Sequence, residues 1–244
     1  MEHSFQGFKL LHMRHLFLIS FFFILSISFA QVAGTISYTL SLDKERATKK
    51  IKNNKSDSNS NLFILKQINE FEKVEAKLIF NKHESSYKVV ESLDSDSNNN
   101  FNLFEAKAGA KSEFYSDILN DIYFYTSLFD DSQLVAYPKF KWNIKNEFKN
   151  ILGFECQKAE IISSDDKNRV AWFTKDISVP FGPLRYHGLP GLVLLYEEDG
   201  GLLILEAVDI SFDDHIEIKK PEGKLTDEES HKKDLRKKSS LYEN

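Results

Sequence analysis

Apolar and polar residues alternate along much of the chain with the period of two that is typical of half-buried β-strands. Between residues 35 and 42, Ile36, Tyr38, Leu40 and Leu42 share one face, and hydroxyl residues occupy the other. Similar alternation recurs at residues 74–80, 87–89, 122–125, 134–137, 140–144, 158–161 and 170–174. The pattern predicts a succession of short strands at close spacing.

Two later segments, Leu192–Tyr196 and Leu202–Leu205, are apolar on both faces. Strands of this kind must be covered on both sides, so we expect this pair at the middle of the fold. The Asp-Gly pair at 199–200 lies between them and favours a hairpin turn, because both residues tolerate positive φ. A last strand is expected around Ile216 and Ile218.

Helical periodicity occurs only near residues 61–72, with Ser60 or Asn61 as the predicted N-cap. Residues 43–60 are rich in Lys, Asn and Ser and predict a mobile loop, and residues 94–100 predict disorder. Residues 101–120 are expected to form short strands or a connecting loop. The chain is therefore predicted to be mainly β: an antiparallel meander forming a curved sheet or open barrel, with one short helix near residues 61–72.

The first thirty residues have the pattern of a secretory signal peptide. A basic stretch at 13–15 precedes an apolar run at 16–27, and Ser28-Phe29-Ala30 offers small residues before a cleavage site near Ala30. The apolar run is short for a transmembrane helix. Either Met1 or Met13 is the start. We expect an exported protein that is periplasmic, outer-membrane-associated or secreted.

This interpretation divides the chain into three parts. Residues 1–30 are the signal peptide, residues 31–220 form a single antiparallel β domain, and residues 221–244 form a charged, disordered tail. The net charge of −5 offers no basic surface for nucleic acid. We expect membrane association to be at most peripheral. The sequence does not predict an oligomeric state.

Recognised catalytic patterns and metal-ligand spacings are missing from the sequence. The histidines after residue 30 (His83, His187, His215 and His231) have no ligand spacing among them, so neither a metal nor a cofactor is expected. The single cysteine, Cys156, cannot form an internal disulfide. Cys156 could act as a nucleophile with His187 as its base, or it could be a small buried apolar residue. The alternating pattern around Cys156 favours the second interpretation.

Glycine and proline residues are concentrated in the segment from Pro180 to Gly201. It holds five of the ten glycines and three of the five prolines. We assign a structural role, shaping the connection into the apolar hairpin, to Gly182, Pro183, Gly188, Leu189, Pro190 and Gly191. Arg185 and His187 lie within the same stretch. They either form a polar site on a rigid loop or face water, and we favour the second reading.

The Gly188-Leu189-Pro190-Gly191-Leu192-Val193 sequence resembles the signature of the GLPGLI family, also called Porph_ging, whose exported members are found chiefly in Bacteroidota. The resemblance extends over about residues 31–212. It includes Trp142, the Ile151–Ala159 run, Ala171–Thr174, Asp176-Ile177 and Pro180–Pro183. Val193 replaces the signature Ile, and Leu184 stands where an aromatic residue is common. The resemblance implies export and a β-rich fold, and it brings no established activity or catalytic residues.

Trp142, Trp172 and Phe181 are predicted to line a concave apolar face, with ordinary core packing as the alternative. Together with Arg185 and His187 they form the candidate ligand- or partner-binding set. We therefore predict a non-catalytic accessory or binding protein for a hydrophobic ligand or an envelope protein. The alternatives are an uncharacterised hydrolase that uses the loop at residues 176–187, and a purely structural envelope module.

Overall fold

The computed structural model describes residues 33–53, 58–90, 102–162 and 168–242. The strands in these residues are β1 (Gly34–Leu42), β2 (Val74–Phe80), β3 (Glu84–Val89), β4 (Phe114–Asp117), β5 (Ile122–Ser127), β6 (Asp130–Ala136), β7 (Trp142–Ile151), β8 (Phe154–Ile161), β9 (Arg169–Thr174), β10 (Leu192–Glu198), β11 (Leu203–Phe212) and β12 (Lys224–Asp227). The helices are α1 (Lys44–Lys52), α2 (Ser58–Glu70), α3 (Leu103–Ala108) and α4 (Glu228–Tyr242).

The described strands form one sheet, in the order β12-β6-β5-β4-β3-β2-β1-β11-β10-β9-β8-β7. Every pair is antiparallel except β12 with β6, which is parallel. The predicted mainly β, antiparallel class is confirmed, and the sheet is open and does not close into a barrel. The predicted signal peptide at 1–30 and the predicted disorder at 94–100 lie outside the described residues.

Strand β1 anchors the main core because its alternation places one face wholly out of water. Ile36, Tyr38 and Leu40 are buried; their register partners on β2 are all buried, and those on β11 are buried except the half-buried partner of Ile36, Ile210. Burying side chains of this size stabilises the fold by roughly 1.5–3 kcal/mol each. The Tyr38 hydroxyl donates a hydrogen bond to the Val193 carbonyl (2.5 Å) and so ties β1 to β10.

The predicted hairpin around Asp199-Gly200 is present as β10 and β11. Counted from the β12 edge of the sheet, β11 is the eighth strand and β10 the ninth of the twelve described. Asp199 and Gly200 both have positive φ, at 52° and 67°. Residues 192–196 of β10 are all buried, as expected. In the second predicted segment the expectation holds only at Leu205, which is buried, and it is wrong at Leu202, Leu203 and Ile204, which are half-buried.

The mobile loop predicted at residues 43–60 is wrong where the structure describes it, because α1 occupies residues 44–52. The Asp43 side chain caps the helix by accepting a hydrogen bond from Arg46 N (3.0 Å). Ala47 is buried against the core, and Lys50 forms an ion pair with Asp199 (2.8 Å). These tertiary contacts override a lysine-rich composition. The predicted helix near 61–72 is present as α2, which begins earlier, at Ser58.

Residues 101–120 contain a helix that the sequence analysis did not predict, besides the expected short strand β4. Helix α3 begins after Asn102, whose side chain accepts from Phe104 N and Glu105 N, and it ends at Gly109 in a left-handed conformation. The Tyr87 hydroxyl donates to the Ala108 carbonyl (2.9 Å) and fixes the helix on the sheet.

The C-terminal predictions are also corrected. Ile216 and Ile218 form no strand, and Ile218 instead packs against the buried cluster of Tyr115, Phe124 and Leu134. The tail predicted to be disordered from residue 221 forms β12 and α4, since β6 offers an unpaired edge that β12 completes. No helix of the described residues is long and apolar enough to cross a membrane.

Candidate functional site

The connecting loop, residues 175–191, joins β9 to β10 and holds most of the predicted site residues. Its backbone folds back beside the start of β10. Gly188 N donates to Pro180 O (2.9 Å), and Val193 N donates to Phe181 O (2.9 Å). Backbone groups that are paired in this way hold the loop in one conformation on the sheet.

The loop's glycines are required for different reasons. A side chain at Gly182 would overlap the Tyr186 carbonyl oxygen and lie 2.8 Å from Val193 Cβ. At Gly191, where φ is 154°, it would overlap the Thr174 carbonyl group. Gly188 has φ of 90° but open space around it. Close packing thus requires Gly182 and Gly191, whereas only backbone conformation favours glycine at position 188.

The other residues predicted to be structural differ in burial. Pro183 is buried, and its carbonyl accepts a hydrogen bond from Tyr186 N (3.2 Å). Leu189 is also buried and joins a second core cluster that contains Phe173 and Val193, whereas Pro190 is exposed. Leu189 thus anchors the tip of the loop to the sheet.

The structure does not bring the three predicted aromatic residues together on one apolar face. Phe181 is fully buried in the main core. Trp142 packs against the second cluster, and its Nε1 donates to the His187 carbonyl (2.9 Å). Trp172 packs against the main core, and its Nε1 donates to the Glu197 carboxylate (3.0 Å). The alternative reading, ordinary packing, describes these rings better.

His187 does not face water, contrary to the reading we favoured from the sequence. It is 3% exposed, and its ring stacks on Tyr123 with centroids 4.1 Å apart and an angle of 8° between the rings. Its Nε2 atom is buried without a hydrogen-bond partner. Burial, with a smaller contribution from Lys139, lowers the pKa of His187 to about 4. The ring is therefore neutral near pH 7 and acts as an aromatic packing element.

Arg185 is half-buried and held by the C-terminal helix. Its Nη1 atom lies 2.6 Å from Glu228 Oε1, at the first residue of α4. The guanidinium group also lies over the rings of Tyr125 and Tyr137, 5.6 and 6.0 Å from their centroids. Arg185 thus links the connecting loop to α4 and to the sheet.

A pocket of about 160 Å³ opens between the connecting loop, α3 and the strands β1, β10 and β11. We call it the tyrosine pocket. Its apolar wall comprises Leu40, Phe114, Leu184, Leu203 and Leu205. Its polar lining comprises Lys107, Arg185, Tyr186, Tyr196 and Glu198. Of the five residues predicted to bind a ligand or partner, Arg185 is the one that lines this pocket.

Two stacked tyrosines hold the carboxylate of the tyrosine pocket. The rings of Tyr186 and Tyr196 lie 3.7 Å apart, and their hydroxyl oxygens lie 2.5 Å apart. The Tyr196 hydroxyl donates to Glu198 Oε1 (2.8 Å). Burial raises the pKa of Tyr186 to about 12 and that of Tyr196 further. Both phenols stay protonated at neutral pH, so they serve as hydrogen-bond donors and are poor nucleophiles.

Cations surround the same carboxylate. Lys107 Nζ lies 3.7 Å from Glu198 Oε2, and Arg169 Nε lies 3.8 Å from Oε1. The Lys107 side chain is 46% exposed, whereas that of Glu198 is 23% exposed. Lys107 is therefore the most solvent-accessible charged group of this lining.

Cys156 is buried, and its thiol lies 3.7 Å from the Phe154 carbonyl oxygen. Burial raises the pKa of the thiol to about 11, which disfavours the thiolate that nucleophilic catalysis requires. Among the residues that the structure describes, no group of three or more His, Cys, Asp or Glu side chains is placed to hold a metal ion.

The sequence analysis missed most of the tyrosine pocket. Tyr196 ends the buried run of β10 and Glu198 lies two residues beyond it, where the change from apolar to charged residues was a usable signal. Lys107 lies on α3, a helix that was not predicted, and Leu40 was placed only on the apolar face of the first strand. No pattern in the sequence joined these distant segments.

Comparisons with known proteins identify a family segment and a related fold. Residues 163–195 match the Porph_ging family model, described as "Protein of unknown function". No curated protein sequence matches the chain. Two structures of PNGF-II, in space groups C2 and P21, are similar with TM-scores of 0.56 and 0.54 at 15% and 16% identity.

The alignments cover 84% of this chain and 32% and 33% of the two PNGF-II chains, so the protein spans about a third of that length. At this identity the likeness shows a shared fold alone. The family match lies where the sequence resemblance was strongest, and it includes the whole connecting loop and the first four residues of β10. The resemblance of the chain to the Porph_ging family, a family of unknown function, is thereby confirmed at residues 163–195.

Proposed function

We propose that this protein is a non-catalytic binding protein of the cell envelope. In this proposal the tyrosine pocket holds the apolar part of a small molecule that carries an anionic end. The observation that carries it is the combination in one pocket of an apolar wall with two cationic side chains and one carboxylate. Sites for small ligands typically combine an apolar lining with a few placed polar groups in this way.

The size of the pocket supports a ligand with a short chain or a single ring. An apolar protein cavity of about 150 Å³ binds benzene. The tyrosine pocket, at about 160 Å³, matches a group of that size. Its aliphatic and aromatic wall would gain the usual free energy of removing apolar surface from water.

The charges of the lining favour an anionic end. Glu198 already accepts from Tyr196 at 2.8 Å, and Arg185 is paired with Glu228 at 2.6 Å. Of the three charged residues in the lining, Lys107 has the longest distance to its nearest polar partner, 3.7 Å to Glu198, and its side chain is the most exposed. A ligand carboxylate at this position would give Lys107 a closer partner than Glu198 does.

Export to the envelope belongs to the same proposal and is supported by the signal-peptide pattern of residues 1–30 and by the family resemblance. The hydrolase alternative is less well supported. Its loop contributes Arg185 and Tyr186 to the pocket, but Glu198 is the single carboxylate among the described lining residues. Acid–base hydrolysis of a glycosidic bond, for example, uses a pair of carboxyl groups.

The test is calorimetric titration of the full chain, isolated from an envelope fraction, with hexanoate, 1-hexanol, hexylamine and acetate. The mass of the isolated chain checks cleavage after Ala30. We expect saturable binding of hexanoate, weaker binding of hexanol, and none of acetate or hexylamine. Lys107→Gln should weaken hexanoate about fivefold, the effect of roughly 1 kcal/mol from one ion pair, and leave hexanol within about twofold.

Lys111→Gln is the matched control, since Lys111 is exposed near the same helix but outside the pocket lining. It should bind all four compounds like the unaltered protein. Equal loss of hexanoate in both variants would contradict the assignment of Lys107. Failure of the unaltered chain to bind any of the compounds would reject the proposal, and turnover of an ester of hexanoate would favour the hydrolase instead.

A further inference from the structure

Leu184, in the wall of the tyrosine pocket, has an unusual backbone conformation. Its φ is +57°, in the left-handed region that residues with a branched side chain seldom adopt. The residue is half-buried and packs against the main core. Outliers of this kind persist only where the surroundings impose them, and they cluster at ligand sites.

Gly109 makes room for the Leu184 side chain. A Cβ at position 109 would lie 3.0 Å from Leu184 Cδ2 and 3.0 Å from Phe114 Cε2. The glycine ends α3 with φ of +112°, so the same residue caps the helix and leaves the space that Leu184 fills. The loop backbone on the other side is fixed by the hydrogen bond from Tyr186 N to Pro183 O (3.2 Å).

Leu184 differs from the leucines of the apolar wall that lie on strands, because it lies on a loop. Leu40, Leu203 and Leu205 lie on β1 and β11, whose pairing in the sheet fixes their positions. Leu184 lies on the connecting loop. Its side chain can therefore change in size without altering the register of any strand, and such a change alters the volume of the pocket directly.

We infer that Leu184 is the specificity-determining residue of the tyrosine pocket, and that it limits the ligand to unbranched or single-ring monocarboxylates of about six carbons. This inference rests on the proposed function and adds to it the ligand class and the side chain that sets its length. Lys107 holds the carboxylate, and the apolar tail extends along the wall towards Leu184. Tails longer than the pocket are rejected because they meet the Leu184 side chain.

The experiment measures the affinity of straight-chain carboxylates from four to ten carbons by calorimetry. We expect the unaltered protein to prefer a chain of about six carbons. Leu184→Gly removes the side chain and suits the positive φ. It should shift the preferred length by about two carbons or more. Leu184→Phe should weaken hexanoate at least tenfold, while Leu184→Met, similar in volume, should keep the original preference.

Leu152→Gly is the matched control. Leu152 also has a left-handed backbone, with φ of 52°, but it is 45% exposed in the turn between β7 and β8. The control should leave the preferred length unchanged. Circular dichroism and thermal melting verify that each variant is folded, and Leu184→Met and Leu184→Phe keep the test valid if Leu184→Gly unfolds.

Two failures are distinguishable. If the folded Leu184 variants bind the series with the unaltered chain's preferred length, the inference is overturned and the proposed function stands. If the unaltered chain binds no member of the series, both are overturned.

Discussion

The last part of the connecting loop has two halves on either side of His187: a first half, residues 184–186, and a second half, residues 188–191. They are neighbours in sequence but have different tasks. The second half is built for close packing: Leu189 is buried in a core cluster, and Gly191 lies against the Thr174 carbonyl group. The first half lines the tyrosine pocket, with Leu184 held at positive φ. His187, between them, stacks on the ring of Tyr123, and its Nε2 atom has no hydrogen-bond partner.

The difference between these two halves shows which structural feature the Gly- and Pro-rich pattern of the sequence indicates. The Gly-Leu-Pro-Gly stretch records where two backbones must pass closely, which is a requirement of folding. The residues that line the pocket, immediately before it, are of ordinary types. A signature of this kind therefore identifies the close-packed backbone that holds a pocket in place more directly than it identifies the residues that line the pocket.

The largest expected effect is at Gly191. Gly191→Ala places a Cβ into the Thr174 carbonyl, with the carbonyl carbon 2.7 Å away, and neither backbone can move without disturbing β9 or β10. We expect a loss of about 4 kcal/mol or more in the free energy of unfolding, at the extreme of single substitutions. Urea denaturation monitored by tryptophan fluorescence gives the value.

Gly188→Ala is the matched control, because Gly188 has positive φ but open space around it. It should lose only about 1–2 kcal/mol, the cost of a left-handed conformation for alanine. Equal effects at the two glycines would mean that close packing against Thr174 does not distinguish them, and the contrast drawn above would fail.

An intermediate effect is expected from the titration of His187. Its folded pKa of about 4 lies below the ordinary histidine pKa of 6.5, so between these pH values the unfolded chain binds more protons. Stability from this group is therefore fully present above about pH 6.5 and falls as the pH drops towards 4. At about 1.4 kcal/mol for each pH unit, the loss across the window is roughly 3 kcal/mol.

His187→Phe keeps an aromatic ring against Tyr123 and removes the titrating group. Its stability should lack this part of the pH dependence, measured by urea denaturation at pH 7, 5.5 and 4.5. The neighbouring charges, Lys139 and Asp121, are present in both proteins, so the difference between the two profiles isolates His187. If stability depends on pH in the same way in both proteins, His187 is accessible to protons in the folded state and belongs with the half of the loop that lines the pocket.

Much of the sheet was predictable, because alternation is a local property of the chain. The β2–β3 hairpin and the pairing of β5 with β6 follow from period-two patterns separated by turn residues. The β10–β11 hairpin follows from two continuous apolar segments on either side of Asp199-Gly200. Helix α1 and the C-terminal elements were not predictable in this way. Their stability comes from contacts distant in sequence, such as Lys50 with Asp199 and His231 with Gln133.

The site was predictable only at its edge. Arg185 was identified because it lies in the Pro/Gly-rich stretch, but its partner Glu228 lies in a segment that composition assigned to a disordered tail. Lys107 and Glu198 are far apart in sequence and meet only once β10 and α3 are in place. Burial of His187 was equally inaccessible, since its surroundings are Tyr123 and Tyr137 from another part of the sheet.

The smallest effect is expected in the pocket half, at the ion pair of Arg185 with Glu228. The side chains are 33% and 25% exposed, so solvent screens their attraction and a coupling energy of about 1 kcal/mol is the upper end for such pairs. A double-mutant cycle of Arg185→Met, Glu228→Gln and the combined variant measures this coupling energy by urea denaturation.

In 1 M salt the coupling between Arg185 and Glu228 should shrink, because screening acts within about 3 Å. Contacts of Arg185 with the Tyr125 and Tyr137 rings remain in Glu228→Gln, so the cycle separates them from the ion pair. A coupling as large as the effect at Gly191 would mean that the first half of the loop also supports the fold, and that its charged residue is not available to a ligand.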